Sequence, residues 1–99
     1  MALYVVQAFD KPDASALRQA TRPAHLAHLA ALGPGAARVG GPMLGPDGAP
    51  VGSILIFDAP DRATLDAWLA ADPYVQAGLF ATVEIWPFRW VIGAPQDLA

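Results

Sequence analysis

Apolar residues fill positions 2–9 (Ala-Leu-Tyr-Val-Val-Gln-Ala-Phe) almost without polar alternation and stop at Asp10-Lys11-Pro12. A run that short, rich in β-branched and aromatic types and closed by a turn signal, reads as a strand apolar on both faces. Between Asp13 and Ser15 the pattern changes to that of a helix carrying Leu17. Pro23 interrupts it, because proline offers no N–H and crowds the turn before it. The pattern therefore predicts a helix that breaks and restarts near Thr21, with Thr21 or Arg22 as the new N-cap and Pro23 in the first turn. The restarted segment carries Leu29 and Leu32 and ends at Gly33-Pro34-Gly35.

Residues 37–43 read as a short strand interrupted at Gly40-Gly41-Pro42, with a turn at Gly45-Pro46-Asp47-Gly48 after it. The run 51–57 is a strand in which Leu55 and Phe57 face one way and Ile54 and Ile56 the other. Asp61 is placed to cap a second helix reaching Ala71, with Leu65, Trp68 and Leu69 as its buried stripe. Asp72-Pro73 ends that helix and opens one further turn toward Gly78. Positions 82–91 predict a long last strand, with Trp86, Phe88 and Trp90 on one face and Pro87 marking a sheet edge or a bulge. Residues 94–99 read as a tail of a single domain spanning 1–99. The order βαββαβ predicts an α+β, ferredoxin-like fold, a four-stranded antiparallel sheet covered on one face by its helices. Two helices cover only one face, yet the first, third and fourth strands are apolar on both. A homodimer formed through the open sheet face follows.

Composition sharpens this picture. The chain has 99 residues, 55% hydrophobic and 15% charged, which is apolar for a small monomer and agrees with self-association. Six basic against nine acidic residues, with no basic cluster, give no electrostatic footprint for a nucleic acid partner. Neither a charged leader nor an apolar run of about 18 residues is present, so the expectation is a cytoplasmic protein with no membrane partner. The absence of cysteine excludes thiolate nucleophiles and Cys-based metal sites.

Chemistry concentrates in Arg22-Pro23-Ala24-His25-Leu26. On a helical wheel Arg22, His25, Leu29 and Leu32 fall within about 80° of one another, the stripe a helix turns to its core. A cation and an imidazole there must be paired or must line a cavity. The candidate carboxylates are Asp72 and Asp10. Asp72 has a purely structural reading as an N-cap before Pro73, and His25 has one as a packed core histidine. His28 lies at the margin of the stripe, and His25-x-x-His28 is too small a ligand set for a metal, so neither metal nor other cofactor is expected. Ser53 after Gly52 lacks the Gly-x-Ser-x-Gly context of a nucleophile and suits a local hydrogen bond. The pair Gly40-Gly41 before Pro42 is where a ligand could approach the backbone closely, which makes Gly41 and Pro42 candidate substrate contacts.

Taken together, Arg22-Pro23-Ala24-His25-Leu26, Gly41-Pro42-Met43, Gly52-Ser53, Ala71-Asp72-Pro73-Tyr74-Val75, Ala77-Gly78-Leu79-Phe80 and Val83-Glu84-Ile85-Trp86-Pro87-Phe88 resemble the YCII-related family over nearly the whole chain. The resemblance implies a ferredoxin-like fold that dimerises into an α+β barrel. It also implies that His25 and Asp72 form an active-site pair, with Arg22 and Ser53 lining the same pocket around a small-molecule ligand. Related members look like muconolactone-isomerase-type and dehydrochlorinase enzymes, so the implied chemistry is isomerisation or elimination on a small cyclic or aromatic-derived compound. The alternatives are a non-catalytic anion-binding or structural dimer, and a cofactor-free oxygenase.

Overall fold

A computed structural model describes residues 2–96. The chain runs β1 (Ala2–Asp10), α1 (Ser15–Ala31), β2 (Ala37–Leu44), β3 (Pro50–Ala59), α2 (Arg62–Ala70), α3 (Pro73–Gln76) and β4 (Phe80–Pro87). The strands form one antiparallel sheet in the order β2-β3-β1-β4, the ferredoxin-like arrangement, with both central strands shielded by neighbours. Val6 on β1 and Leu55, Phe57 and Ala59 on β3 point to the helix side and pack with Leu65 of α2, forming the buried core. Tyr4, Leu29, Leu32, Trp68, Leu69 and Ile85 close around it.

The first helix does not break. α1 is continuous from Ser15 to Ala31 with Pro23 inside it, and neither Thr21 nor Arg22 caps a second segment. Proline at that position removes one backbone donor, but Arg18 and His25, both buried on the inward face, tie the turns on either side of it to the sheet and to α3. Leu17 on this helix is exposed, and Arg18 takes the inward position. β2 likewise runs uninterrupted through Gly40, Gly41 and Pro42, all of them in register with β3. Pro42 is tolerated because β2 is an edge strand.

The last strand is shorter than its apolar pattern suggests. It spans Phe80–Pro87, and Phe88 and Trp90 lie beyond it, their rings edge-to-face at 5.1 Å between centroids. Pro87 therefore ends an edge strand instead of interrupting one. Of the expected tail, residues 94–96 lie outside the sheet and 97–99 fall outside the described residues. Asp61 caps α2 by accepting the Thr64 N–H at 2.8 Å.

Candidate active site

Two buried polar clusters meet under α1. In the first, His25 projects from the middle of α1 and Asp72 from the N-cap of α3. His25 Nδ1 lies 2.8 Å from Asp72 Oδ1 and 3.0 Å from Oδ2. Against an ionised Asp72, Nδ1 is the donor, and in the neutral imidazole the lone pair then falls on Nε2. Asp72 is also held by α3, since its Oδ1 accepts the Tyr74 N–H at 2.9 Å. One oxygen thus both caps the turn and meets the imidazole, and the cap and pair readings of Asp72 coexist. The Tyr74 ring stacks on the imidazole, 3.9 Å between centroids and 16° between planes, fixing the ring orientation that Asp72 leaves free.

The second cluster is Asp10, Arg18 and Ser53. Arg18 Nε donates to Asp10 Oδ2 at 2.8 Å and Nη2 donates to Asp10 Oδ1 at 2.9 Å, the two-pronged geometry that suits guanidinium and carboxylate. Nη2 also donates to Ser53 Oγ at 2.8 Å. Both charged side chains are more than nine-tenths buried. The hydrogen bond to Asp10 raises the Arg18 pKa against the opposing effect of burial, so this cation stays charged and compensated. A register shift in the β1–β4 pairing falls between Phe9 and Asp10, at the point where the strand turns the Asp10 carboxylate toward α1. Tyr74 joins the clusters, with the Arg18 guanidinium carbon 4.9 Å from its ring centroid. Burial raises the Tyr74 pKa above that of a free phenol, while the charges of Arg18 and Arg22 pull it down.

These groups border a cavity of about 410 Å³ between α1 and the β2–β3 edge, a size suited to a small organic ligand. Arg18, Arg22, His25, Ser53 and Tyr74 supply its polar wall. Leu26, Leu29, Leu55 and Pro42 supply apolar surface. Arg22 is not the buried cation of the site. Its residue is exposed at the cavity rim, it forms no ion pair among the described residues, and Asp10 is engaged by Arg18 instead. On the wheel Arg22 stands at the edge of the inward stripe, whereas Arg18, at i−7 from His25, stands near its centre. Gly41 and Pro42 both border the cavity, joined by Gly40. Gly40 pairs with Leu55 and shares its helix-side face, and a Cβ there would come within 3.2 Å of the Leu55 side chain. His28 is engaged elsewhere, its Nε2 donating to the Trp68 carbonyl at 2.9 Å and tying α1 to α2. Among the described residues no three His, Asp or Glu side chains converge as a metal-ligand set.

Arg18 and Tyr74 are the site residues that sequence reasoning missed. Arg18 had a usable signal, the seven-residue spacing to His25, which is hidden once the helix is broken at Pro23.

A ferredoxin-like α+β chain with this cavity under its first helix can be placed among known proteins. The YCII-related domain matches residues 2–89, and the chain belongs to that family. It is 41% identical to Protein YciI of Escherichia coli O6:H1 over 96 aligned residues, covering 90% of this chain and 98% of the relative. Among solved structures it is similar to 5-chloro-2-hydroxyhydroquinone dehydrochlorinase (TftG) from Burkholderia phenoliruptrix AC1100, in complex with 2,5-dihydroxybenzoquinone. That similarity has a TM-score of 0.78 and 33% identity, covering 92% of this chain and 95% of TftG. An antibiotic biosynthesis monooxygenase, 16% identical with a TM-score of 0.57 over 92% of this chain and 99% of its own, shares the fold. Among the described residues no helix is long and apolar enough to cross a membrane.

Proposed function

We propose that this chain is an acid–base enzyme acting on a small cyclic compound by isomerisation or elimination. The observation that carries the proposal is His25, whose Nδ1 is taken by Asp72 while the ring borders an open cavity. Nε2 is then the base. It accepts a proton from a ligand C–H, and the electron pair left on carbon moves toward a conjugated carbonyl oxygen. In an isomerisation the imidazolium returns the proton to another carbon. In an elimination the pair expels a leaving group such as chloride, and the imidazolium releases its proton to water. Asp72 holds the tautomer and faces the positive charge that forms on the ring. Arg22, uncompensated at the rim, attracts an anionic group on the ligand, and Gly41 and Pro42 provide the edge against which its ring rests. A second copy covering the open sheet face belongs to the same proposal.

The likeness to TftG, at 33% identity, supports hydroxyquinones and their chlorinated forms as the first compounds to screen, alongside lactones, with 2,5-dihydroxybenzoquinone as a trial ligand. His25→Gln should lower turnover by ~10²- to 10⁴-fold, the usual contribution of a general acid–base group, with the folded state retained by circular dichroism. Full activity in that variant overturns the proposal. The free Arg22 cation favours a second reading, a domain that binds a small anion without transforming it. Ligand binding without turnover in any compound of the screen would support it.

A further inference from the structure

We infer that Ser53 is the donor that holds the reacting oxygen of the ligand, with Arg18 and Asp10 as its positioning frame, so that the substrate is an enolisable carbonyl compound. This rests on the acid–base reading of His25 and names the other pole of the same site. Ser53 is only 4% exposed, and what it does expose borders the cavity. A hydroxyl has one proton and two lone pairs. Arg18 Nη2–H points at Oγ from 2.8 Å and occupies one lone pair, so the serine proton must be directed elsewhere. Among the described residues it meets no acceptor. A buried hydroxyl proton with no protein acceptor, beside an open cavity, is a donor kept for a ligand.

Arg18 does more than orient the hydroxyl. A cation donating into Oγ polarises the O–H bond and strengthens its donation to an oxyanion. Asp10 engages the guanidinium through both Nε and Nη2, which fixes the fork and hence the direction from which Ser53 is approached. Asp10 also cancels the charge of Arg18, so the frame does not bind a free anion by charge alone. The site therefore has two different oxygen subsites. At the rim, Arg22 draws charge already present on the ligand. At the wall, Ser53 waits for charge that develops when His25 removes a proton, as the carbon–hydrogen pair moves onto the carbonyl oxygen. Tyr74 stacks on the imidazole and lies under the Arg18 guanidinium, so the base and the donor frame share one support.

The test uses 4-nitrophenolate, a flat ring bearing one oxyanion whose visible absorption moves to shorter wavelength when that oxygen accepts a strong hydrogen bond. The wild-type protein should bind it with such a shift. Ser53→Ala should weaken binding by about 10- to 100-fold, the range for a hydrogen bond to a charged group, and abolish the shift. Ser53→Cys, a weaker donor, should fall between. Arg22→Gln should weaken binding but keep the shift. Loss of the shift in Arg22→Gln instead of Ser53→Ala would overturn the assignment, as would unchanged binding in Ser53→Ala or no binding by the wild type. If His25→Gln retains full turnover while Ser53→Ala loses the shift, the acid–base reading fails and the donor role of Ser53 stands.

Discussion

Arg18 and Arg22 are one turn apart on the same helix, yet the first is buried and paired while the second is exposed. The difference has a measurable consequence. Removing one partner of a buried ion pair strands the other charge, so Asp10→Ala should cost about 3 to 5 kcal/mol of stability in urea unfolding. Arg22→Gln should change it by less than about 0.5 kcal/mol, as for an ordinary surface substitution. Equal effects would contradict the different environments of the two arginines. Tyr74 gives a pH signature. Burial raises its pKa in the folded state, so its contribution is complete below the free phenol value of about 10 and is lost as pH rises through the folded value. Stability of the wild type should therefore fall more steeply above about pH 10 than that of Tyr74→Phe, which has no phenol to ionise. Parallel curves would show that the Tyr74 hydroxyl is not buried in solution. At this scale the sequence was informative about residue types and poor about partners. His25 stood out as an imidazole on an apolar stripe, but its contact with Asp72, 47 positions away, cannot follow from local spacing. From its own surroundings Ser53 was visible only as a serine in a strand, and its place in the pocket came from the family resemblance alone. Its meaning comes from Arg18, which the expected break at Pro23 hid.

Elements were legible wherever local signals agreed. The Asp61 cap, the short turn after Asp72 and the opposed faces of residues 54–57 all follow from rules a few residues long. α1 was misjudged because the local rule and the tertiary context disagree: Pro23 argues for a break, and packing on both sides of it holds the helix together. That conflict should be visible in stability. Relieving it with Pro23→Ala restores a backbone donor and a better helix former, and should stabilise the fold by about 1 to 3 kcal/mol after allowing for the greater freedom of the unfolded chain. A loss of stability in thermal unfolding would mean that the proline is needed where it stands. The Asp61 cap has its own pH test. The Thr64 N–H donating to its carboxylate holds the Asp61 pKa below the usual range, so the stability it adds is present above about pH 4 and is lost as pH falls through the folded value. Asp61→Asn keeps a capping oxygen without the titration, and its stability should vary less than that of the wild type over the same acid range.

For the molecule as a whole, what remains to be explained is the sheet face turned away from the helices. Val39, Ile56, Val5 and Trp86 form one cross-strand row there, and Gly41, Ile54, Gln7 and Glu84 the next. Trp86 is 59% exposed, and Phe9, Val39 and Ile54 are exposed on the same face. Four strands spaced by about 4.8 Å and about eight residues long at 3.3 Å each project to roughly 500 Å², which side chains raise toward the ~800 Å² per partner of a stable interface. Apolar side chains exposed across such a face are costly in water, and a second copy related by a two-fold axis would cover both faces at once. Light scattering should then give about twice the 10.3 kDa chain mass at micromolar concentration. Trp86→Glu places a charge in the apolar row on β4, and it should shift the protein to monomer and lower its melting temperature. The cavity lies on the helix side of the same sheet, toward the opposite edge, where β2 flanks β3. Binding of 2,5-dihydroxybenzoquinone, if the wild type shows it, should survive in the monomeric variant with little change. A wild type that stays monomeric would remove the dimer, and binding lost together with dimerisation would place part of the site on the partner subunit.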